Sequence, residues 1–443
     1  HLAQCRARGV KLVIGTTGFS DAQKAEIAAA AVAARDMTAK YDARNPAALK
    51  RLVAAKTQLK PFSKEIMDAG YKAAEETKRD GIGVDLFFGG GEPDFAGQAK
   101  KGRLVPLRVF QTMPELFVKD GPIPETFTGE RYFPADHVWV GTCMSQFGIC
   151  YNPAVLDRLK IPVPAAWNDL GDPRYAGTLA LADPTKSGSV ARTFELLLQG
   201  EIQRALAVPG TDRQAAIDHG WTSGLQLIQR MAANSRYFTD SASKIPQDVG
   251  QGNAAAGMCI DFYGRSYSEE LTTADGQRRV IWIAPQGGTT LSADPIGVLK
   301  GAPHADLAQS FVEYCLSPEA QKLWFGKPGT PNGPKDRALH RTPIRRDVYT
   351  PENLTNSTMP GVHPYEDPGN FTYQRELTGK TRASMRLARD IYAYDAGENA
   401  TVVTGLLLAA SNASEVAGVL AGAVFLAATV GIHAQHLGVV ASQ

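Results

Sequence analysis

Apolar and polar positions alternate along this chain in rhythms that change from zone to zone. Residues 1–34 hold a strand-like KLVIGTTGF, Lys11 to Phe19, followed by SDAQKAEIAAAAVAA. There Ser20 or Asp21 suits the N-cap of an alanine-rich helix. Residues 35–80 read as helix twice. Leu49, Leu52, Val53 and Lys56 share one face, and Ile66, Met67, Gly70, Tyr71 and Ala74 share another, with Ser63 as a cap. Residues 81–380 alternate short apolar runs with helical patterns, which predicts an α/β fold. The strand candidates are VDLFFGG, TLALADP, AAAGMCIDF and RVIWIAP. A helix is expected from Ser187 to Gln199, because Val190, Phe194, Leu197 and Leu198 fall on one face. Another is expected from Ala305 to Cys315, and a further one opening at Ser317 with Pro318 in its first turn. Beyond Phe325 the sequence is too rich in Pro and Gly for regular elements.

Residues 381–443 form a fourth zone, and from Thr401 to Val440 Glu415 is the only formally charged residue. The stretch Val416 to Ile432 lacks charge and contains Gly418 and Gly422 at small-xxx-small spacing. It lies near the lower limit for crossing a bilayer. An apolar C-terminal helix is expected, and membrane association and a buried tail both fit it. Composition adds exclusions. The chain is 44% hydrophobic and 21% charged with a net charge of +2, which gives no electrostatic case for nucleic acid. None of the five cysteines forms CxxC or a zinc spacing. Cys143 and Cys150 flank one apolar stretch, and either a disulfide or two buried thiols suits them. The chain opens on His1 without an initiator Met or a secretory leader, as a mature product or a fragment would.

Three resemblances follow from the motifs. CRARGVKLVIGTTGFSDAQKAEIAAAA is similar to part of a dihydrodipicolinate reductase, in which GTTG, here Gly15 to Gly18, lines the nicotinamide site. The phosphate-binding glycine turn and the catalytic region are absent, so the resemblance implies a structural remnant. NPAALKRLVAAKTQLKPFSKEIMDAGYKAAEE resembles the late helical part of TRAP transporter substrate-binding subunits. The long resemblance covers residues 81–380, on DLFFGGGEPDFAGQAKKGRLVP, GICYNPAVLDRLKIPVPAAWNDLGDPRYAGTLALADPTKSGS, QGNAAAGMCIDFYG and ADPIGVLKGAPHADLAQSFVEYCLSPEAQKLW. These stand in family order for extracellular solute-binding proteins of family one, near the iron(III)-binding branch. The family's first strand–helix–strand unit is missing ahead of DLFFGGG. The resemblance implies a two-lobed periplasmic-binding-protein fold with hinge strands, here carrying helical N-terminal segments. It implies a monomer in the periplasm or outside the cell that captures a small molecule or metal complex in an interlobe cleft and delivers it to an ABC permease.

Candidate ligand residues follow from donors placed near helix starts. Asp183, Thr185, Lys186, Ser187 and Ser189 in ADPTKSGS follow a strand and open a helix, a recipe for an anion. Plain N-capping by the same residues is the competing reading. Gly90 and Gly91 in FFGGGEPDF permit close backbone approach by a ligand. Ser241 and Ser243, with Thr239, Asp240 and Lys244, form a polar loop before another helix. In IDFYGRSY, iron-binding relatives carry a Tyr-Tyr pair where this chain has Phe262-Tyr263. Tyr263 is therefore the candidate metal ligand for Fe(III) as transported cargo, with Asp261 and Arg265 beside it. Asp294 is read as hinge and strand. No resident cofactor is expected. The chain lacks GxSxG, HExxH and Walker signatures, so an enzyme is not expected. The competing readings are an NAD(P)-dependent reductase and a composite chain without a complete site.

Overall fold

The computed structural model describes residues 12–14, 71–72, 81–184, 187–331, 333–369 and 371–378. The strands, in chain order, are β1 (Leu12–Ile14), β2 (Leu86–Phe88), β3 (Leu104–Val105), β4 (Thr126–Phe127), β5 (Glu130–Arg131) and β6 (Val140–Ser145). They continue as β7 (Phe147–Tyr151), β8 (Leu179–Ala182), β9 (Ser235–Thr239), β10 (Ala256–Ile260), β11 (Ile281–Ile283), β12 (Ser292–Leu299) and β13 (Thr342–Pro343). The described residues divide into two compact units. Unit 1 takes those up to Phe127, then Arg131–Met144 and Ser292–Val362. Unit 2 takes Thr128–Glu130, Ser145–Leu291 and those from His363 on.

Unit 1 is built on a sheet of order β1-β2-β12-β6-β13, with β3 also on β12. The long apolar strand β12 runs antiparallel to β2 and β3. Phe87 stacks on Phe95 of the helix Glu92–Lys100 at 4.2 Å between ring centroids, joining sheet to helix. Tyr71 is buried in the same core cluster as Phe87, Phe95, Leu104 and Trp139. Its hydroxyl donates to the Arg103 carbonyl at 3.2 Å. Burial pushes that phenol up to about 12, with the Arg103 charge opposing, so it remains a donor at neutral pH. The carboxylate of buried Asp85 accepts the His304 N–H at 2.7 Å, just ahead of the helix Ala305–Cys315. Gln321 is fully buried on the helix Pro318–Phe325 and uses both ends of its amide. It donates to the carbonyls of Thr142 and Cys315, each at 2.8 Å, and accepts from the Ile344 and Arg345 N–H groups.

Unit 2 carries a sheet of order β11-β7-β10-β8-β9. Strand β8 is parallel to both β9 and β10, while β7 is antiparallel to β10 and β11. The helix Gly188–Leu206 buries Val190, Phe194, Leu197 and Leu198, the apolar face read from sequence, and Ile202 beyond it. It extends past Gln199 because nothing breaks the pattern before Pro209. The helix Arg213–Ala233 packs on it through Gly220, where a Cβ would stand 2.3 Å from the Ile202 Cα. Only a residue without a side chain admits that approach. Residues 371–378 pack against Gly188–Leu206, with Phe371, Tyr373 and Leu377 buried. The Gln199 amide bonds both backbone groups of Gln374 at 3.0 Å, and Gln203 donates to the Thr372 carbonyl.

Each of the four strand candidates contains an observed strand, and the helices at Ala305–Cys315 and Pro318–Phe325 stand where expected. The Pro/Gly-rich stretch does form short elements, among them β13 and the helix Pro351–Thr355. Of the two alternatives for Cys143 and Cys150, the structure shows two buried thiols and no disulfide, one on β6 and one on β7. The apolar C-terminal helix, its membrane association and most of residues 1–80 lie outside the described residues. Among those described, no helix is long and apolar enough to cross a membrane.

Candidate ligand site

The parallel arrangement of β9, β8 and β10 brings three strand ends to one edge of the unit 2 sheet. Each strand leads there into a helix. Strand β8 leads to Gly188–Leu206, β9 to Lys244–Gln251 and β10 to Asp261–Glu270. Helix first turns carry N–H groups without intrahelical acceptors and a partial positive charge. Three such turns along one sheet edge make it a favourable place for negative charge.

The side chains at this edge are mostly hydroxyls. Ser187 is the N-cap, and its Oγ accepts the Val190 N–H at 3.4 Å, so plain capping takes part of its hydrogen-bonding capacity. Asp183 and Ser189 are half-buried beside it. The Asp183 N–H donates to the Thr239 carbonyl at 2.8 Å, which ties the β8 exit to β9. Ser241 and Ser243 are half-buried with their hydroxyls 2.9 Å apart, and the Thr239 hydroxyl accepts the Ser241 N–H at 3.0 Å. Lys244 pairs with Asp240 at 2.7 Å on the exposed rim. Thr185 and Lys186 lie outside the described residues.

At the start of Asp261–Glu270 the residues divide by role. Asp261 is fully buried, accepts from Arg265 at 2.8 Å, and has its N–H bonded to the Gln146 carbonyl. Arg265 also lies over the Trp282 ring, 4.9 Å from its centroid. These two candidates form an ion pair with each other. Tyr263 is half-buried, packed against Phe262 with ring centroids 4.2 Å apart. Burial raises the phenol of Tyr267 above its ordinary range, with Glu270 adding to the shift, so it holds its proton at neutral pH. Among the described residues no group of three or more His, Cys, Asp or Glu side chains converges as a metal site. Gly90 and Gly91 belong to unit 1, where Gly89 and Gly90 adopt φ of +84° and +98° and turn the chain from β2 into Glu92–Lys100. Asp294 is on β12 and pairs with Arg341, as its strand reading implies.

One cluster behind this edge escaped the sequence reading. On Gly188–Leu206, the Arg192 guanidinium pairs with Glu130 and, at 2.5 Å, with Glu195. It also lies 3.8 Å from the Tyr373 ring centroid. Glu130 accepts from Thr290 at 2.7 Å, and Glu195 from the Tyr373 hydroxyl at 2.9 Å. Burial works against the Arg192 charge, but the two carboxylates outweigh it and hold the group ionised, well above its ordinary range. The i, i+3 spacing of Arg192 and Glu195 was the one signal visible in the sequence; Glu130 and Tyr373 come from distant segments.

Comparison with known proteins agrees with this architecture. The family model of the bacterial extracellular solute-binding proteins matches residues 84–345, and that of the dihydrodipicolinate reductase N-terminus matches residues 1–40. The phosphoglycerate transport regulatory protein PgtC of Salmonella typhimurium is 27% identical over 184 residues, which is 42% of this chain and 40% of the relative. A putrescine/agmatine-binding protein of Pseudomonas aeruginosa is 26% identical over 149 residues, 32% of this chain and 38% of the relative. The chain thus spans less than half the length of either. Among solved structures, the periplasmic binding protein P5PA matches with a TM-score of 0.51 at 16% identity, over 87% of this chain and 98% of that one. Iron-bound HitA from Pseudomonas aeruginosa matches with a TM-score of 0.50 at 18% identity, over 86% and 99%. The chain has the α/β fold of the periplasmic binding proteins.

Proposed function

The chain belongs to the bacterial extracellular solute-binding protein family, and from that premise we propose that it captures an anionic small solute for an ABC-type membrane permease. The observation that carries this reading is the convergence of three helix starts and a row of hydroxyls on the C-terminal edge of β9, β8 and β10. Such an edge recognises charge and shape through donors and needs no covalent chemistry. The ligand set is Asp183, Ser187, Ser189, Ser241, Ser243 and Tyr263, with Thr185 and Lys186 between the first two. A phosphorylated carboxylate, the chemical class of the phosphoglycerate in the Salmonella relative's name, offers oxygen acceptors for the hydroxyl and helix N–H donors, while Asp183 can accept only from a hydroxyl of the solute. Fe(III) carried as a complex is the second reading, resting on Tyr263 at the head of its helix. Capture outside the cytoplasm, in the periplasm or beyond, follows from the family.

The test is thermal unfolding of the full chain with 3-phosphoglycerate, ferric citrate, putrescine and NADPH in turn. A solute at a hundred times its dissociation constant adds about 2.7 kcal/mol of stability. We expect that shift with 3-phosphoglycerate and none with NADPH. Ser189→Asp is expected to abolish it while leaving the ligand-free melting temperature nearly unchanged, because a carboxylate in a helix's first turn is itself favourable. A shift with ferric citrate alone moves the assignment to iron. No shift with any anionic solute overturns the anion reading.

A further inference from the structure

The solute-binding family model begins at Val84, yet unit 1 holds two pieces from upstream of it. The first is β1, which pairs in parallel with β2 in the register Leu12 to Leu86, Val13 to Phe87 and Ile14 to Phe88. The second is Tyr71, buried in the Phe87 cluster, with its hydroxyl on the Arg103 carbonyl and the Arg103 guanidinium 4.4 Å from its ring centroid. On its other side β2 pairs with β12. Strand β2 is therefore bonded on both sides, and its Leu86 and Phe87 are buried. Without β1, the outer side of this Leu-Phe-Phe strand would be an open, apolar sheet edge, the kind of edge that pairs with other chains.

We infer that two segments upstream of the family match are working parts of unit 1, with β1 as the outer strand of its sheet and Tyr71 as a plug in its core. The reductase-like sequence then serves here as strand and not as a nucleotide site. Its usefulness lies in an apolar run, Leu-Val-Ile, whose Val and Ile are β-branched and pair readily in a parallel sheet. This goes beyond solute capture and stands or falls separately from it, because it concerns the fold without any ligand.

The test uses the full chain in the absence of solute. Val13→Pro removes a backbone N–H and sets φ, so it disrupts a parallel pair, whereas Val13→Thr keeps strand preference. We expect Val13→Pro to lower the melting temperature by several degrees and to speed amide exchange in Leu86–Phe88 by at least about tenfold. Val13→Thr should stay near the parent in both. Tyr71→Ala should also lower the melting temperature, and NADPH should leave the parent unchanged. Should Val13→Pro not fold while Val13→Thr does, that supports the inference as well. Parent-like melting and exchange in Val13→Pro would overturn it, as would stabilisation of the parent by NADPH.

Discussion

Arg192 holds the densest set of polar contacts behind the proposed ligand edge, and two carboxylates surround it in a buried setting. Removing one partner from such a group leaves charge buried without compensation, which costs about 3–5 kcal/mol. Arg192→Met is therefore expected to lower the denaturant midpoint of unfolding strongly, and adding Glu130→Gln to that variant should recover part of the loss. An unchanged midpoint would mean the cluster contributes nothing. The sequence hid this role because Arg192 stands between Val190 and Phe194 and reads as the solvent side of an amphipathic helix. Its partners at Glu130 and Tyr373 are remote in the chain, and no local pattern announces them. Asp261 reads in the sequence as a ligand residue after a strand, and the structure adds an ion pair with Arg265 one helical turn later. Gln321 was silent as well, since an amide that satisfies backbone groups from three segments looks like any surface glutamine in a one-dimensional reading.

Elements were more legible, because periodicity and caps are local. The helix Ala305–Cys315 appears at its expected bounds, and Ser317 caps the next helix by accepting the Ala320 N–H at 3.2 Å. What holds Ala305–Cys315 in place was not local. Arg108 reaches it from the chain ahead of Val109–Thr112, bonding Glu313 at 2.9 Å and 3.0 Å, and Thr112 adds a bond at 2.8 Å. The hydrogen bond from Arg108 holds the Glu313 carboxyl below its ordinary value, helped by Thr112 and opposed by burial. A carboxylate depressed in the folded state adds stability above its unfolded value, about 4.3, and that stability is lost as the pH falls through the folded value. Arg108→Gln should therefore lower stability at pH 7 and flatten its decline below pH ~4. Equal acid sensitivity in parent and variant, measured by urea unfolding, would remove Glu313 as a source of that decline. The candidate edge was partly legible for the same local reason. Strand followed by hydroxyl-rich helix start is visible three times in the sequence, but not that the three strands lie side by side in parallel.

At the scale of the whole molecule, the order of motifs was the informative signal. The α/β character and the solute-binding family both follow from segments that stand in sequence over a long stretch, and no single motif carries them. The division into two units was anticipated, whereas their interleaving was not read in detail. Unit 1 resumes at Ser292 after the long excursion of Ser145–Leu291 into unit 2, and residues 371–378 return to unit 2 to bind Gln199 and Gln203. Hydrophobic patterning describes faces and says little about which distant strand covers them. The contribution of β1 to unit 1 is the plainest case, since a segment that resembles another family ends up paired with β2.

The position of β12 in its sheet bears on how a growing chain matures. It lies between β2 and β6 and also holds β3, yet it is synthesised long after all three. A nascent chain therefore emerges from the ribosome with the opening strands of unit 1 lacking their central partner. The strands β7 to β11 all arrive within one uninterrupted stretch. Contacts between distant parts of a chain form late, because closing the long loop between them carries an entropic penalty first. The sheet whose strands are translated first is thus the sheet completed last.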